Sequence, residues 1–167
     1  MKRPSARRAK PKTNTKAKSK SKRASASRVH AENKSAASGN LPRFPKNLHG
    51  SIERAVEFQW TIAAYNPDLP AIFSTPAMIG LMEIAAARAI QEHLPPGTIS
   101  VGTRIEVDHL KAVPQGTLVR ADARLAGDDG RFLSFEVEAH AKELLIGRGR
   151  VYRAIVTLKT PDSIARK

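Results

Sequence analysis

Near the middle of this chain lies a helix with no polar side. Ser74 or Thr75 is suited to cap it, Pro76 to open its first turn, and Pro95-Pro96-Gly97 to stop it. The spacing predicts a helix from about residue 75 to His93. Ala77, Met78, Ile79, Gly80, Leu81, Met82, Ile84, Ala85, Ala86, Ala87, Ala89 and Ile90 make it apolar nearly all round. Such a helix has no face to show water and must be enclosed. The rest of the chain has to supply the enclosure.

Strand patterns surround it. Ile52, Val56, Phe58, Trp60 and Ile62 fall on even positions with Glu53, Glu57, Gln59 and Thr61 between them, which predicts a strand across 52–62 with one buried face. Asn66-Pro67-Asp68-Leu69-Pro70 breaks the chain before the helix. After the helix, Ile99, Val101, Thr103, Ile105 and Val107 alternate with polar residues. Val119 to Leu125 and Leu133 to Ala139 do the same around a Gly127-Asp128-Asp129-Gly130 turn, and Leu144 to Leu158 reads as one long strand. One strand, one long buried helix and a run of antiparallel strands is an α+β order. A sheet wrapped around a single central helix is the hot-dog fold. So apolar a helix in so small a domain also argues for a dimer, in which a second sheet completes the enclosure.

Charge divides the 167 residues into two parts. Residues 1–40 hold 13 of the 29 Lys and Arg but only one acid, Glu32, and Val29 is their only branched aliphatic residue. That composition buries too little to offset the entropy of ordering, so 1–40 is expected to be a disordered basic tail and 41–167 the folded domain. The tail is expected to touch polyanions weakly and without sequence preference, and having no aromatic residue it is no base-stacking module. It suits a tether to nucleic acid or a membrane surface, an organelle transit peptide, or a plain solvated extension. There is no Cys, so disulfides, thiolate metal sites and cysteine nucleophiles are excluded. No uncharged apolar run approaches a membrane span, and no apolar core follows the N-terminal charges as a secretory signal requires, so a cytoplasmic protein is the expectation.

Polar residues where the pattern demands apolar ones are the candidate site. Glu83 sits mid-helix between Met82 and Ile84, where a carboxylate is costly unless paired. His109 ends a strand whose odd positions are apolar, which puts its imidazole on the helix side. A histidine satisfied at a strand end would look the same alone, but beside an enclosed Glu the two can divide acid and base roles. Arg153 shares a face with Val151 and Ile155 and needs an anion, either Glu83 or part of a ligand. Thr75 is a helix cap or a group that holds a carbonyl at the helix N-terminus. Gly102, inside a strand, fits a bulge or close approach of a ligand to the backbone. No nucleophile elbow, phosphate loop, dinucleotide fingerprint or zinc-protease motif occurs, and His30, His49, His93, His109 and His140 lack metal-ligand spacing. Metal-free acid/base chemistry remains.

These residues resemble the fluoroacetyl-CoA-specific thioesterase-like family of hot-dog thioesterases. The stretch from Phe73 to Glu83 (FSTPAMIGLME) is similar to that family's active-site helix. Further matches are Ser100 to Thr103, Val107 to His109, Pro114 to Gly116, Gly130 to Phe135, and Ile146 to Gly149 with Arg153 to Val156. The resemblance covers residues 50–160. It implies an acyl-CoA thioesterase with Thr75, Glu83 and His109 as catalytic set, Gly102 and Arg153 as substrate contacts, no metal and no cofactor beyond the CoA of the substrate, acting as a homodimer or higher homo-oligomer. Asn66 and Leu69 stand where fluoroacetyl-specialised members carry an aromatic lid, so acetyl, fluoroacetyl, short-chain and aryl-acyl groups are all open. Two other readings stay open as well: a non-catalytic acyl-CoA-binding protein, and a nucleic-acid-associated protein that uses the basic tail.

Overall fold

The computed structural model describes residues 43–158. The basic segment 1–40 and its expected disorder lie outside the described residues. Five strands, β1 (His49–Ala55), β2 (Thr98–His109), β3 (Leu118–Asp128), β4 (Phe132–Ala141) and β5 (Leu144–Thr157), form one antiparallel sheet in the order β1-β3-β4-β5-β2. The helix α1 (Thr75–Ile90) lies across it. This is the α+β architecture the sequence predicts, a sheet wrapped around one long helix.

The core forms where the period of two meets the period of 3.6. Val119, Ala121 and Ala123 of β3, Leu133, Phe135, Val137 and Ala139 of β4, and Val151 and Ile155 of β5 are buried. They meet Met78, Met82, Ala85, Ala86, Ala89 and Ile90 of α1. Phe73 fills the space ahead of the helix N-terminus. On the other face of the sheet charges pair across strands, with Arg124 opposite Glu136, Glu136 opposite Arg150 and Arg150 opposite Glu106. Such pairs add a few tenths of a kcal/mol each and keep that face in water.

The helix backbone comes closest to the sheet at Gly50 of β1. A Cβ there would stand 2.6 Å from the Ala89 amide nitrogen and against the Ala85 carbonyl. Gly50→Ala is therefore expected to push the helix off the sheet and to cost about 2 kcal/mol or more, the usual scale of overpacking. Chemical denaturation would show this as a lower midpoint with an unchanged slope.

Two expectations are corrected. The strand predicted across 52–62 ends at Ala55. Residues Phe58–Trp60 and Ile62–Ala64 are 3-10 turns. Phe58 is 54% exposed and Thr61 is fully buried, the reverse of the predicted faces. The segment doubles back on the approach to α1: Ile62 N–H donates to Ile72 O (2.9 Å), Ser74 N–H to Trp60 O (2.8 Å), and the Thr61 hydroxyl to Phe58 O (2.7 Å). Alternation alone does not separate such turns from a strand. The helix itself stops at Ile90, with a 3-10 turn at Gln91–His93.

The second correction concerns β2. Gly102 pairs with Arg153 but Arg104 pairs with Tyr152, so Thr103 is an extra residue. This bulge reverses the alternation. Ile105, Val107 and His109 face the helix as expected, but on the other side of Thr103 it is Thr98, Ser100 and Gly102 that do so. Ile99 and Val101 turn to the outer face.

Candidate active site

Ser74 is the helix cap, its hydroxyl accepting from Ala77 N–H at 3.4 Å. Thr75 is thereby released from capping and stands in the first turn. Its hydroxyl lies 2.9 Å from His109 Nδ1. His109 Nε2 lies 3.1 Å from the Lys111 carbonyl oxygen, which only accepts, so Nε2 carries a proton. Nδ1 of the neutral ring then accepts from Thr75, and His109 can reach a substrate proton through that hydroxyl.

A second cluster forms further along the helix. Arg153 lies on the inner face of β5 with its side chain 8% exposed, while that of Glu83 is 29% exposed. The guanidinium donates to Glu83 Oε1 at 3.3 Å and to the Glu83 main-chain oxygen at 3.2 Å. Its other nitrogens donate to Ser100 Oγ at 3.1 Å and Ser100 O at 3.0 Å. Burial pushes the Arg153 guanidinium below its usual pKa, and the charge of Glu83 opposes that shift. An arginine still stays charged in such surroundings, so its guanidinium orients the Glu83 side chain.

Gly102 lies against the Glu83 carboxylate, and any side chain at that position would run into it. The bulge at Thr103 puts Gly102 and Ser100 on this face. Bulges beside active sites commonly re-aim side chains in this way. Ser100 carries two of the four hydrogen bonds of Arg153 and was not singled out as a site residue in the sequence. Its signal was a small polar residue two positions before Gly102, hidden by reading one unbroken alternation along the strand.

The five residues thus fall into two groups. Thr75 and His109 are hydrogen-bonded to each other, and Glu83, Arg153 and Gly102 are in contact. Thr75 and Glu83 are eight residues apart on one helix, about 12 Å of rise, and no hydrogen bond joins the groups among the described residues. The apolar side chains nearby are uncovered. Ile84 of the helix is 45% exposed, and Ile105 and Ile99 of β2 are 43% and 38% exposed. β2 is an edge strand, so its outer backbone groups have no strand partner in the protomer.

Comparison with known proteins identifies the family and supports the fold. Residues 56–159 match the family model described as "Fluoroacetyl-CoA-specific thioesterase". The fluoroacetyl-CoA thioesterase of Streptantibioticus cattleyicolor is 42% identical over 100 residues, 60% of this chain and 72% of that protein. A solved fluoroacetyl-CoA thioesterase superposes with a TM-score of 0.67 at 33% identity, covering 75% of this chain and 97% of that one. A Thermus thermophilus thioesterase superfamily member gives a TM-score of 0.67 at 25% identity over 74% of this chain and 92% of that one. In the segment ahead of Thr75, Asn66 Oδ1 accepts from Asp68 N–H (3.1 Å) in a tight turn, and Tyr65 and Leu69 are exposed. With the sheet-wrapped helix, the Arg153-held carboxylate and the matched length together, the chain is a thioester hydrolase of the hot-dog fold and belongs to the fluoroacetyl-CoA-specific thioesterase family.

Proposed function

We propose that this protein hydrolyses a small or short-chain acyl-CoA to the free acid and CoA, using Thr75, Glu83 and His109. The observation that carries the reading is the Glu83 carboxylate. It is partly exposed on an otherwise apolar helix, anchored by a buried arginine, and faces a strand position kept open by glycine. Arg153 fixes its orientation, as a base or nucleophile requires.

Two routes start from that carboxylate. In one, Glu83 takes a proton from water as the hydroxide adds to the thioester carbonyl carbon. In the other, a Glu83 oxygen adds to that carbon, and water later cleaves the resulting anhydride. In both the C–S bond breaks and the CoA thiolate leaves and takes up a proton. The Thr75 hydroxyl, at the positive end of α1 and hydrogen-bonded to His109, is placed to polarise the carbonyl and to pass that proton. The Gly102 backbone lets the substrate lie against β2.

We further propose that the site is completed in a homodimer. Pairing two β2 edges antiparallel about a two-fold axis covers Ile84 and Ile105 and satisfies the edge. It also brings the Gly102 end of one strand toward the His109 end of the other. Glu83 and Arg153 of one protomer then face Thr75 and His109 of the partner.

The direct test is release of free CoA thiol from acetyl-, fluoroacetyl-, butyryl-, hexanoyl- and phenylacetyl-CoA. Turnover of at least one is expected. A folded protein that releases thiol from none of them would not be a thioesterase, and acyl-CoA binding without hydrolysis would take its place.

A further inference from the structure

Arg153 is a buried charge whose hydrogen bonds are divided unequally between two residues. A guanidinium is a planar fork of N–H donors, and its strongest contacts use two parallel N–H groups at once. Nε–H and the Nη2–H beside it form one such edge. Here that edge belongs to Ser100: Nε donates to Ser100 Oγ at 3.1 Å and Nη2 to Ser100 O at 3.0 Å. Glu83 receives only Nη1, which donates to its main-chain oxygen at 3.2 Å and to Oε1 at 3.3 Å. No group among the described residues donates to Glu83 Oε2. The strand pairing explains how Ser100 reaches the guanidinium. Gly102 stands directly opposite Arg153, and the Glu83 carboxylate lies against it. Ser100 is two residues along β2, opposite Ile155, so it is a diagonal neighbour of Arg153 within reach of a long side chain. An unbroken alternation would turn Val101 to the helix side instead, with no side-chain acceptor for Nε. The extra residue at Thr103 brings Ser100 there.

We propose that Ser100 is a positioning residue for the reaction. By holding the paired edge of Arg153 it leaves that arginine a single nitrogen for Glu83. The carboxylate is then gripped through Oε1 alone, and Oε2 stays free to act on water or on the thioester. The inference rests on the reading of Glu83 as base or nucleophile. Ser100 acts through Arg153 and not on the thioester itself. Without the hydroxyl, the guanidinium keeps only the Ser100 carbonyl on that edge. Its plane is free to turn, and the carboxylate it orients loses its fixed direction.

The test compares kcat and KM of wild type, Ser100→Ala, Ser100→Cys and Ser100→Thr on the best acyl-CoA, with melting curves to confirm that each variant folds. Ser100→Ala is expected to lower kcat about tenfold, the scale of a slightly misplaced catalytic group, with KM little changed. Ser100→Cys keeps the shape but offers a poor acceptor, so it should lose activity similarly, and it carries the test if Ser100→Ala does not fold. Ser100→Thr restores the hydroxyl and should recover most of the loss. Wild-type kcat in Ser100→Ala, or equal losses in all three variants, would overturn the proposal. A raised KM with kcat kept would show that Ser100 binds substrate directly, which overturns it too. If the wild type released thiol from no acyl-CoA, the thioesterase reading would fall, and nuclear magnetic resonance would judge Ser100. The Arg153 Nε–H signal, assigned by its loss in Arg153→Lys, should then exchange with water faster in Ser100→Ala than in wild type and slow again in Ser100→Thr. Equal exchange in wild type and both variants would overturn the role of the hydroxyl.

Discussion

Glu83→Gln is expected to lower kcat on the best acyl-CoA by roughly a thousandfold, within the span that a positioned base or nucleophile contributes. The amide has nearly the same shape and keeps an oxygen for the Arg153 guanidinium. Arg153 also retains Ser100 Oγ, Ser100 O and the Glu83 main-chain oxygen, so no buried charge loses all its partners. Glu83 is nearly one-third exposed, which limits what the lost ion pair costs to about 1 kcal/mol. The variant should therefore melt close to wild type and bind substrate while failing to turn it over. Turnover within a fewfold of wild type would remove Glu83 from the chemistry. Loss of folding in Glu83→Gln would show that the ion pair holds the helix in place, and Arg153→Met, which removes the other partner, would then be the comparison.

The second large effect is expected from mixing two inactive chains. Glu83→Gln and His109→Ala should each be nearly inactive alone. If Glu83 of one protomer works with Thr75 and His109 of the other, a mixed dimer contains one site with both substitutions and one intact site. Co-expression should then restore roughly a quarter of wild-type turnover, since half of randomly formed dimers are mixed and half of their sites are whole. Three groups acting within one protomer would give no rescue. The expectation follows from the helix geometry. Eight residues of α1 hold Thr75 and Glu83 about 12 Å apart, too far for one thioester carbonyl to touch both.

Much of the candidate site is legible in the sequence. Glu83 and Arg153 were conspicuous because each breaks an apolar pattern, and the structure joins them. His109 was placed on the helix side by alternation with Ile105 and Val107, and there it meets Thr75. The residues missed were those whose orientation depends on something other than local pattern. Ser100 escapes local pattern because an alternation carried unbroken through Thr103 would point it outward, and the bulge turns it inward. Thr61, buried with its hydroxyl on Phe58 O, was read as exposed because a pair of tight turns imitates a strand.

The apolar helix, most of the antiparallel strands around it and the polar residues that interrupt apolar faces are all written in the sequence. Those are local facts: periods of 2 and 3.6 are written in neighbouring residues, and the cost of a buried charge belongs to the residue that bears it. The sheet order β1-β3-β4-β5-β2, the bulge that turns Ser100 and Gly102 to Glu83, and the division of the candidate residues into two groups arise from the tertiary structure alone. Each depends on how β2 aligns with β5 and how the helix crosses both. That alignment is set by pairing between residues 38 to 59 apart in the chain, such as Gly102 with Arg153, which no local pattern records.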